Sequence, residues 1–408
     1  MNDTTRNRII EEVAGSIDIP DSAYEKANAR YKDLTEWFGR KEARCYDFQP
    51  HLYPQGSFRL GTVVHPIDDE GEYDLDMGCR LRKGFTKATY TQQQLKNLIG
   101  ADVEDYRVAR GIKEKRKEKK RCWQLQYADT LKFHLDIVPS IPETVERRRL
   151  IQEAIGRTGT PTEIATLVSN LTGAITDNRM WNYKIIDDDW LLSNSEGFAL
   201  WFISRMKLAK TLMESLSLRA KAAKVDELPA YQWKSPLQRC VQLLKRHRDM
   251  LFADDQDGKP ASIIITTLAA RAYRGEAEIA DALETILSTM GALVRSTAPR
   301  IPNPVNPAED FADRWSNPAN KHHKLEAKFG LWLRQAQTYF DSLGKERNPE
   351  LIVEMVKEKL GASLNTKELS IKLGTGTSSK LLKPAAVPAG LNFPDKPLVP
   401  RKPAGFAC

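Results

Sequence analysis

Apolar side chains first recur at helical spacing. Between residues 21 and 40 they stand three or four positions apart, from Tyr24 to Phe38, and Gly39 ends the repeat. That spacing places them on one side of an α-helix. The pattern predicts a long amphipathic helix over residues 21–40.

Strand-like runs follow this helix. The runs 73–81, 122–127 and 131–138 are rich in apolar, β-branched and aromatic residues, which is typical of β-strands. Apolar residues recur at helical spacing between these runs, at 92–100, and after them, at 144–156. This part of the chain therefore mixes strands with helices.

The pattern changes at about residue 189. Helical spacing then recurs over six segments: 198–218, 236–252, 262–274, 277–294, 323–343 and 348–360. A mixed half followed by a helical half predicts an α+β fold. The predicted domains are residues 1–188, residues 189–365, and a flexible Pro- and Lys-rich tail at 366–408. Four prolines in residues 297–307 predict an extended connector.

Composition adds a charge argument. The 408 residues carry 62 Lys and Arg against 54 Asp and Glu, a formal net charge of +8. Residues 107–122 hold nine basic and two acidic side chains, and residues 374–408 hold five basic side chains and one acidic side chain. These two segments carry more positive charge than the whole chain, so the remaining residues are slightly acidic. Glu114 and Glu118 interrupt the first run, and no aromatic residue interleaves its basic side chains. The pattern favours a solvated helix end or hairpin approach over a nucleic-acid patch, and we expect no nucleic-acid activator.

Several protein classes are excluded. No run of about eighteen apolar residues occurs, so no transmembrane span is predicted. The first residues lack the pattern of a secretion signal. The five cysteines include no Cys-x-x-Cys pair, so neither a disulfide framework nor a zinc site is expected. We expect a cytoplasmic protein with no membrane partner.

Closely spaced carboxylates carry the candidate chemistry. In the predicted strand 73–81, Asp74 and Asp76 point to one face and Leu75 to the other. Asp136 lies between apolar residues of a later strand. Three carboxylates that meet at one sheet repel each other unless divalent cations lie between them. Mg²⁺ suits oxygen ligands shared with phosphates, so we expect two Mg²⁺ ions, with Mn²⁺ as a substitute.

A Gly-Ser loop precedes these aspartates. A strand-like stretch leads into Gly56 and Ser57. Glycine lets the backbone approach a phosphate closely, and the serine hydroxyl can donate to its oxygens. Loop and aspartates together predict phosphoryl or nucleotidyl transfer by a two-metal scheme. A structural alternative stays open, in which Asp74 caps a turn after Gly71 and Glu72, and Asp136 is the buried ion-pair partner of Arg80 or Arg82.

These motifs resemble those of the DNA polymerase β-like nucleotidyltransferases. The Gly-Ser loop, the Asp-x-Asp strand and the Asp136 strand carry the resemblance. More narrowly, the chain resembles the bacterial cGAS/DncV-like nucleotidyltransferases (CD-NTases), which make cyclic oligonucleotide second messengers in CBASS antiphage defence. Stretches at 120–123, 133–139, 175–177 and 303–315 add to the narrower match.

The resemblance implies a catalytic lobe and a helical lobe, with ATP and a second NTP, GTP or a pyrimidine nucleotide, bound between them. By resemblance, Asp74 and Asp76 would hold both metals, and Asp136 would complete the metal on the acceptor side. Lys245 and Ser262 would contact the donor nucleotide, although Lys245 could instead be a solvated residue of a basic helix. The implied product is a cyclic di- or trinucleotide.

The tail ends in Gly405, Phe406, Ala407 and Cys408. It resembles the tails of CD-NTases whose C-terminus is activated and conjugated by a ubiquitin-machinery-like enzyme. Cys408 departs from the Gly or Ala ending that such tails have. A plain disordered terminus is the alternative.

Two other functions stay open. One is a nucleotidyltransferase that adenylates an RNA end or a small-molecule hydroxyl. The other is an inactive interaction module that keeps the fold without the reaction.

Overall fold

The computed structural model describes residues 3–67, 71–127, 133–206 and 234–374. Within these ranges seven strands form a mixed sheet and two more form a hairpin. The strands are β1 (Pro50–Pro54), β2 (Tyr73–Leu81), β3 (Lys117–Glu118), β4 (Trp123–Tyr127), β5 (Phe133–Pro142), β6 (Gly173–Ile175), β7 (Leu191–Ser193), β8 (Pro302–Asn303) and β9 (Asn306–Asp310).

Helices surround the sheet and form the second lobe. They are α1 (Asp3–Ser16), α2 (Asp21–Gly39), α3 (Gly56–Leu60), α4 (Gln92–Ala109), α5 (Val145–Gly156), α6 (Thr162–Asn170), α7 (Ser195–Ser204), α8 (Pro236–Leu251), α9 (Ser262–Ala272), α10 (Ile279–Met290), α11 (Asp313–Ser316), α12 (Leu325–Lys345), α13 (Pro349–Leu360) and α14 (Thr366–Leu373). Strands in the first half and helices in the second confirm the predicted α+β class.

The order of the sheet is β1-β2-β5-β4-β3, with β6 beside β5 and β7 beside β6. β2 and β5 run parallel, whereas β1 and β4 run antiparallel to them. Leu75, Leu135 and Ile137 are fully buried on one face, in a core that they share with α2 and α4. Because side chains alternate along a strand, the intervening polar residues lie on the opposite face.

α8 lies at the centre of the helical lobe. It packs against α9, α10, α12 and α13. The same core contains Ile9, Ile10 and Val13 of α1, and Ile151 and Ile155 of α5. The second core therefore draws on segments from both sides of the predicted boundary at residue 188, which stays a prediction.

Residues 297–307 do not form the predicted connector. β8 pairs antiparallel with β9, with Pro302 opposite Asp310. The Asp310 carboxylate accepts hydrogen bonds from the backbone N–H groups of Arg300 and Ile301. The prediction is wrong because a proline at the first position of a strand leaves no ladder hydrogen bond unmade.

Other differences are local. The predicted helices do not include α1, α3, α6, α11 or α14. The helix predicted over 198–218 is described only as α7, since residues 207–233 lie outside the described ranges. Residues 375–408, which include most of the predicted tail, lie outside them as well.

Two predicted absences can be checked within the described ranges. No helix there is both long and apolar enough to cross a membrane. Cys45, Cys79, Cys122 and Cys240 are buried free thiols, so no disulfide joins them.

Candidate active site

The three predicted aspartates meet on one face of the sheet. In the parallel pairing of β2 with β5, Asp76 lies beside Asp136 and Asp74 lies beside His134. Asp74 is exposed, whereas Asp76 and Asp136 are half-buried. Leu75, between the two β2 aspartates, points into the core. The apolar face fixes the register, and the register brings the carboxylates together.

The Gly-Ser loop is fastened to the same strand. The N–H of Gln55 donates to the carbonyl oxygen of Asp76 over 2.9 Å. Gly56 has a φ of +64°, and a Cβ there would lie 2.0 Å from Oδ2 of Asp76. Only glycine fits this conformation and this contact. Ser57 follows in the first turn of α3, and its carbonyl oxygen accepts the N–H of Thr62.

The carboxylates disfavour each other's charge. Burial, followed by repulsion from Asp74 and Asp136, raises the pKa of Asp76 to about 7. Desolvation also raises the pKa of Asp74, and repulsion from Asp136 and Glu72 adds to it, while His134 acts in the opposite direction. Such raised pKa values are typical of carboxylates gathered at a functional site.

Asp136 is not the ion-pair partner that the structural alternative requires. Nε2 of Gln124, on β4, donates to Oδ1 of Asp136 over 2.9 Å. Arg80 instead pairs with Glu196, with 2.6 Å between Nη1 and Oε2. No salt bridge joins Asp136 to Arg80 or Arg82, all of which lie in the described ranges. The alternative in which Asp136 serves only an ion pair is therefore wrong.

The three carboxylates suit metal ions that also bind the substrate better than a metal site closed by protein ligands alone. Within the described residues, no group of three His, Cys, Asp or Glu side chains is arranged to hold a metal ion by itself. Mg²⁺ commonly binds one or two protein carboxylates and takes its other ligands from water and substrate phosphates. Asp74, Asp76 and Asp136 suit that arrangement, since all are oxygen donors on one face. Their role as metal ligands stays a prediction.

Lys245 lies beside the aspartates. It is 7% exposed, and its Nζ donates to the carbonyl oxygen of Thr62 over 2.9 Å. Burial and the nearby Arg248 lower its pKa to about 8, against the opposing attraction of Asp76 and Asp74. The alternative of a solvated lysine is therefore wrong. Lys245 instead places a buried ammonium near Asp74 and Asp76 of β2.

Ser262 is less directly placed. It begins α9 and is exposed, and its Oγ accepts a hydrogen bond from Nη1 of Arg248 over 2.8 Å. The structure records no contact between Ser262 and the aspartates. Arg248 therefore links Ser262 to the helix that carries Lys245, and a nucleotide contact from Ser262 stays a prediction.

A cavity of about 220 Å³ adjoins the loop. Gly56 and Arg59 line it from the catalytic lobe, Ile263 lines it from α9, and Glu309 lines it from the β8–β9 hairpin. The aspartates themselves do not line the cavity, but Gly56 adjoins Asp76 and so brings the cavity close to them. It offers a ligand space between the sheet, the helical lobe and the hairpin.

Comparison with known proteins identifies the family. Residues 50–139 match the family model described as Cyclic GMP-AMP synthase DncV-like, nucleotidyltransferase domain. That match contains Asp74, Asp76 and Asp136. The chain is 27% identical over 310 residues to the c-di-GMP synthase of Roseivirga ehrenbergii, covering 75% of this chain and 72% of the relative. Residues 50–139 therefore carry a DncV-like nucleotidyltransferase domain, and the chain is similar to the CD-NTases.

A second curated relative of the chain is the cyclic dinucleotide synthase CdnG of Bradyrhizobium diazoefficiens. It is 26% identical over 328 residues, which cover 75% of this chain and 69% of the relative. The matched domain and the two relatives, both named as cyclic dinucleotide synthases, indicate an enzyme, a nucleotidyltransferase, as the motifs predict.

Solved CD-NTase structures share the fold. The Bradyrhizobium diazoefficiens CdnG structure in complex with GTP has a TM-score of 0.60 at 21% identity, covering 90% of this chain and 98% of that one. The Escherichia coli MS115-1 CdnC:HORMA-deltaN complex has a TM-score of 0.53 at 12% identity, covering 88% and 98%. These similarities confirm the predicted polymerase β-like lobe with a helical lobe.

Some residues of the candidate site were not predicted. Gln238 and Gln242 of α8 donate to the carbonyl oxygens of Leu60 and Val63, in the loop that Lys245 also binds. Their spacing along the helix could have indicated a shared face with Lys245. Nothing in the local sequence indicates that the Gln124 amide reaches Asp136.

Proposed function

We propose that the protein is a metal-dependent cyclic dinucleotide synthase that joins two nucleoside triphosphates and releases pyrophosphate. The observation that carries the proposal is the pairing of Asp76 with Asp136 across parallel strands, with Asp74 on the same face. The products named for the two curated relatives support a cyclic dinucleotide over a trinucleotide.

Asp74, Asp76 and Asp136 would hold two Mg²⁺ ions, for which Mn²⁺ would substitute. When bound, such ions activate the acceptor hydroxyl and stabilise charge on the leaving pyrophosphate. The mutual repulsion that raises the pKa values of Asp74 and Asp76 supports this assignment, because divalent cations would relieve it.

The protein's own groups position the nucleotides. Gly56 allows the backbone to approach a phosphate, and Ser57 supplies a hydroxyl donor beside it. Lys245 supplies a buried positive charge for the triphosphate. Asp136 lies where it can accept the proton of the acceptor hydroxyl, and Gln124 keeps its carboxylate in place.

The reaction balances as two successive transfers. The acceptor hydroxyl oxygen bonds to the α-phosphorus of the donor, the bond to pyrophosphate breaks, and the hydroxyl proton is lost. The linear product then turns its own triphosphate and free hydroxyl to the same site, and a second pyrophosphate leaves as the ring closes. ATP and GTP are the candidate substrates, and the name of the Roseivirga ehrenbergii relative favours GTP.

A role in cytoplasmic CBASS antiphage defence is part of the proposal. Its support is the family resemblance. Conjugation of the C-terminus by a ubiquitin-machinery-like enzyme rests on the composition of the tail. Gly405, Phe406, Ala407 and Cys408 lie outside the described residues.

The test is product formation from labelled NTPs and Mg²⁺, followed by mass spectrometry. We expect the wild-type protein to give a phosphatase-resistant cyclic dinucleotide. Asp74→Asn and Asp136→Asn should each reduce the rate by at least about a hundredfold, because each removes a charged metal ligand. Asp254→Asn, at an exposed position, is the matched control and should keep the wild-type rate. Unchanged product from both site variants would refute the mechanism.

The same assay separates the alternatives. A linear or acceptor-linked product would favour adenylation of an RNA end or a small-molecule hydroxyl. Calorimetry that detects no binding of Mg²⁺–NTP would favour an inactive interaction module.

A further inference from the structure

The cavity beside the catalytic loop has one carboxylate on its hairpin wall. Glu309 of β9 lines it together with Asn303 of β8 and Arg121, which lies just before β4. None of the proposed catalytic steps uses these side chains. Gly56 lines the same cavity, and a Cβ on Gly56 would meet Oδ2 of Asp76, so a ligand here would lie near the aspartates.

A buried asparagine side chain positions the Glu309 carboxylate. Asn303 is 6% exposed, and its Nδ2 donates to Oε2 of Glu309 over 2.8 Å. Oδ1 of Asn303 in turn accepts the N–H of Val305, so the amide is fixed in this orientation. A carboxylate has about four acceptor positions, and hydrogen bonds from Asn303 and Asn306 leave capacity for a ligand. Glu309 itself is exposed, so its carboxylate can accept from the cavity.

The surroundings of Glu309 set its charge. Desolvation raises the pKa of Glu309, whereas the hydrogen bonds from Asn303 and Asn306 and the charge of Arg121 oppose that rise. Arg121 is anchored by Asp177, with 3.0 Å between Nε and Oδ2. The cavity thus pairs an acceptor group with a donor group on its polar walls.

The remaining walls suit a flat ring. Ile175, Phe198, Ile263 and Phe311 supply apolar surface. The cavity volume of about 220 Å³ exceeds the roughly 150 Å³ of an engineered protein cavity that binds benzene. Apolar walls with a few fixed polar groups are typical of sites that bind a heterocycle and read its edge.

We propose that this cavity binds the base of a guanine nucleotide and that Glu309 selects guanine over adenine. The inference rests on the proposed function and names the base that the site selects. Guanine presents N1–H and its 2-amino group side by side, and a carboxylate can accept from both. Adenine presents an acceptor at N1 and no 2-amino group, so its lone pair would face the carboxylate. Arg121 offers donors of the kind that bind O6 and N7 of guanine.

The test compares GTP with ITP, whose base is guanine without the 2-amino group. For the wild-type protein we expect kcat/KM for GTP to exceed that for ITP by about tenfold. Glu309→Gln should lower kcat/KM for GTP by about ten- to a hundredfold, mainly through KM, because an amide cannot accept from both donors. The GTP-to-ITP ratio should fall towards one. Glu354→Gln, at an exposed position on α13, is the matched control and should keep both values.

Binding separates this inference from the proposed function. Calorimetric Kd values for GTP, ITP and ATP measure base recognition without turnover. Circular dichroism of Glu309→Gln checks that the variant is folded. A folded variant with the wild-type GTP-to-ITP ratio would overturn the role of Glu309, as would a wild-type protein that binds ATP as tightly as GTP. A wild-type protein that prefers GTP in binding but forms no cyclic product would contradict the proposed function alone.

Discussion

Nζ of Lys245 donates to the carbonyl oxygen of Thr62 over 2.9 Å and so joins the helical lobe to the catalytic loop. Gln238 and Gln242, earlier on the same helix, donate to neighbouring carbonyls of this loop. Positions seven and three residues before Lys245 lie near it on one helical face. One face of α8 therefore holds the segment that follows the Gly-Ser motif, and the loop geometry depends on both lobes.

Replacing Lys245 should weaken nucleotide binding. Lys245→Met removes the buried charge, and a hydrogen bond to a charged group contributes about 1.5–3 kcal/mol. We expect KM for the NTP to rise by about ten- to a hundredfold. Lys357→Met, at an exposed position on α13, is the control and should leave KM unchanged.

A pH profile shows whether the charge of Lys245 is responsible. Its pKa of about 8 means that the ammonium form dominates below pH 8. Nucleotide affinity of the wild-type protein should therefore fall as the pH rises through 8, and Lys245→Met should lack that fall. Parallel profiles for the two proteins would contradict a role for this charge.

Removing the charge of Asp76 should stabilise the metal-free protein. Its folded-state pKa of about 7 lies above the ordinary carboxyl value. The folded state is then progressively destabilised as the pH rises from about 4 to 7, and the full cost is present above 7. Asp76→Asn should therefore raise the Tm at pH 8 in the presence of a chelator, and the gain should shrink at pH 5.

Thermal unfolding followed by circular dichroism measures this difference. Mg²⁺ should raise the Tm of the wild-type protein and have less effect on Asp76→Asn, because the cation offsets the repulsion. Asp254→Asn should match the wild-type protein at both pH values. A lower Tm for Asp76→Asn at pH 8 would show that the carboxylate stabilises the fold instead.

Gly56 should tolerate no side chain. In Gly56→Ala the Cβ would collide with Oδ2 of Asp76, which displaces either the loop or the carboxylate. We expect activity to fall by at least about a hundredfold, since a misplacement of about 1 Å can have that effect. Gly111→Ala is a close control, because Gly111 has a φ of +63° with no atom within 4 Å of its Cβ position. It shares the backbone strain and should keep activity, and equal losses in both variants would point to strain alone.

Local patterns were enough to predict the centre of the site. Alternation of apolar and acidic residues predicts β2 with its observed bounds and the shared face of Asp74 and Asp76. Asp136 follows from the same logic, because its strand is apolar on either side of it. The parallel register that puts Asp136 beside Asp76 is a contact between distant segments, and the sequence pattern does not specify it.

The parts that the sequence did not predict depend on distant partners. Ile9, Ile10 and Val13 have helical spacing, but their burial against the second lobe requires the packing of α1 on α10 and α12. The hairpin that carries Glu309 was not predicted, because the prolines in this segment are typical of an extended connector. Side-chain amides such as Gln124 carry no local signal, since their role is set by what the fold places opposite them.

Breaking the buried ion pair of Arg80 on β2 with Glu196 on α7 should strongly destabilise the fold. Both side chains are 8% exposed, with 2.6 Å between Nη1 and Oε2. Burial raises the pKa of Glu196, but Arg80 and His51 outweigh it, so the pKa lies below the ordinary value. Glu196→Gln should lower the free energy of unfolding by about 3–5 kcal/mol at pH 7, because it leaves the Arg80 charge buried without a counter-charge.

Urea unfolding of a double-mutant cycle tests this pair. Arg80→Met with Glu196→Gln should cost less than the sum of the two single variants, because neither charge is then left unpaired. Since the folded-state pKa of Glu196 is depressed, its contribution should be present above the ordinary carboxyl pKa and lost as the pH falls through the lowered value. Glu153→Gln removes an exposed pair with Arg149, in which the side chains are 45% and 79% exposed, and should cost less than about 1 kcal/mol. Additive losses in the cycle would mean that Arg80 and Glu196 stabilise the fold independently.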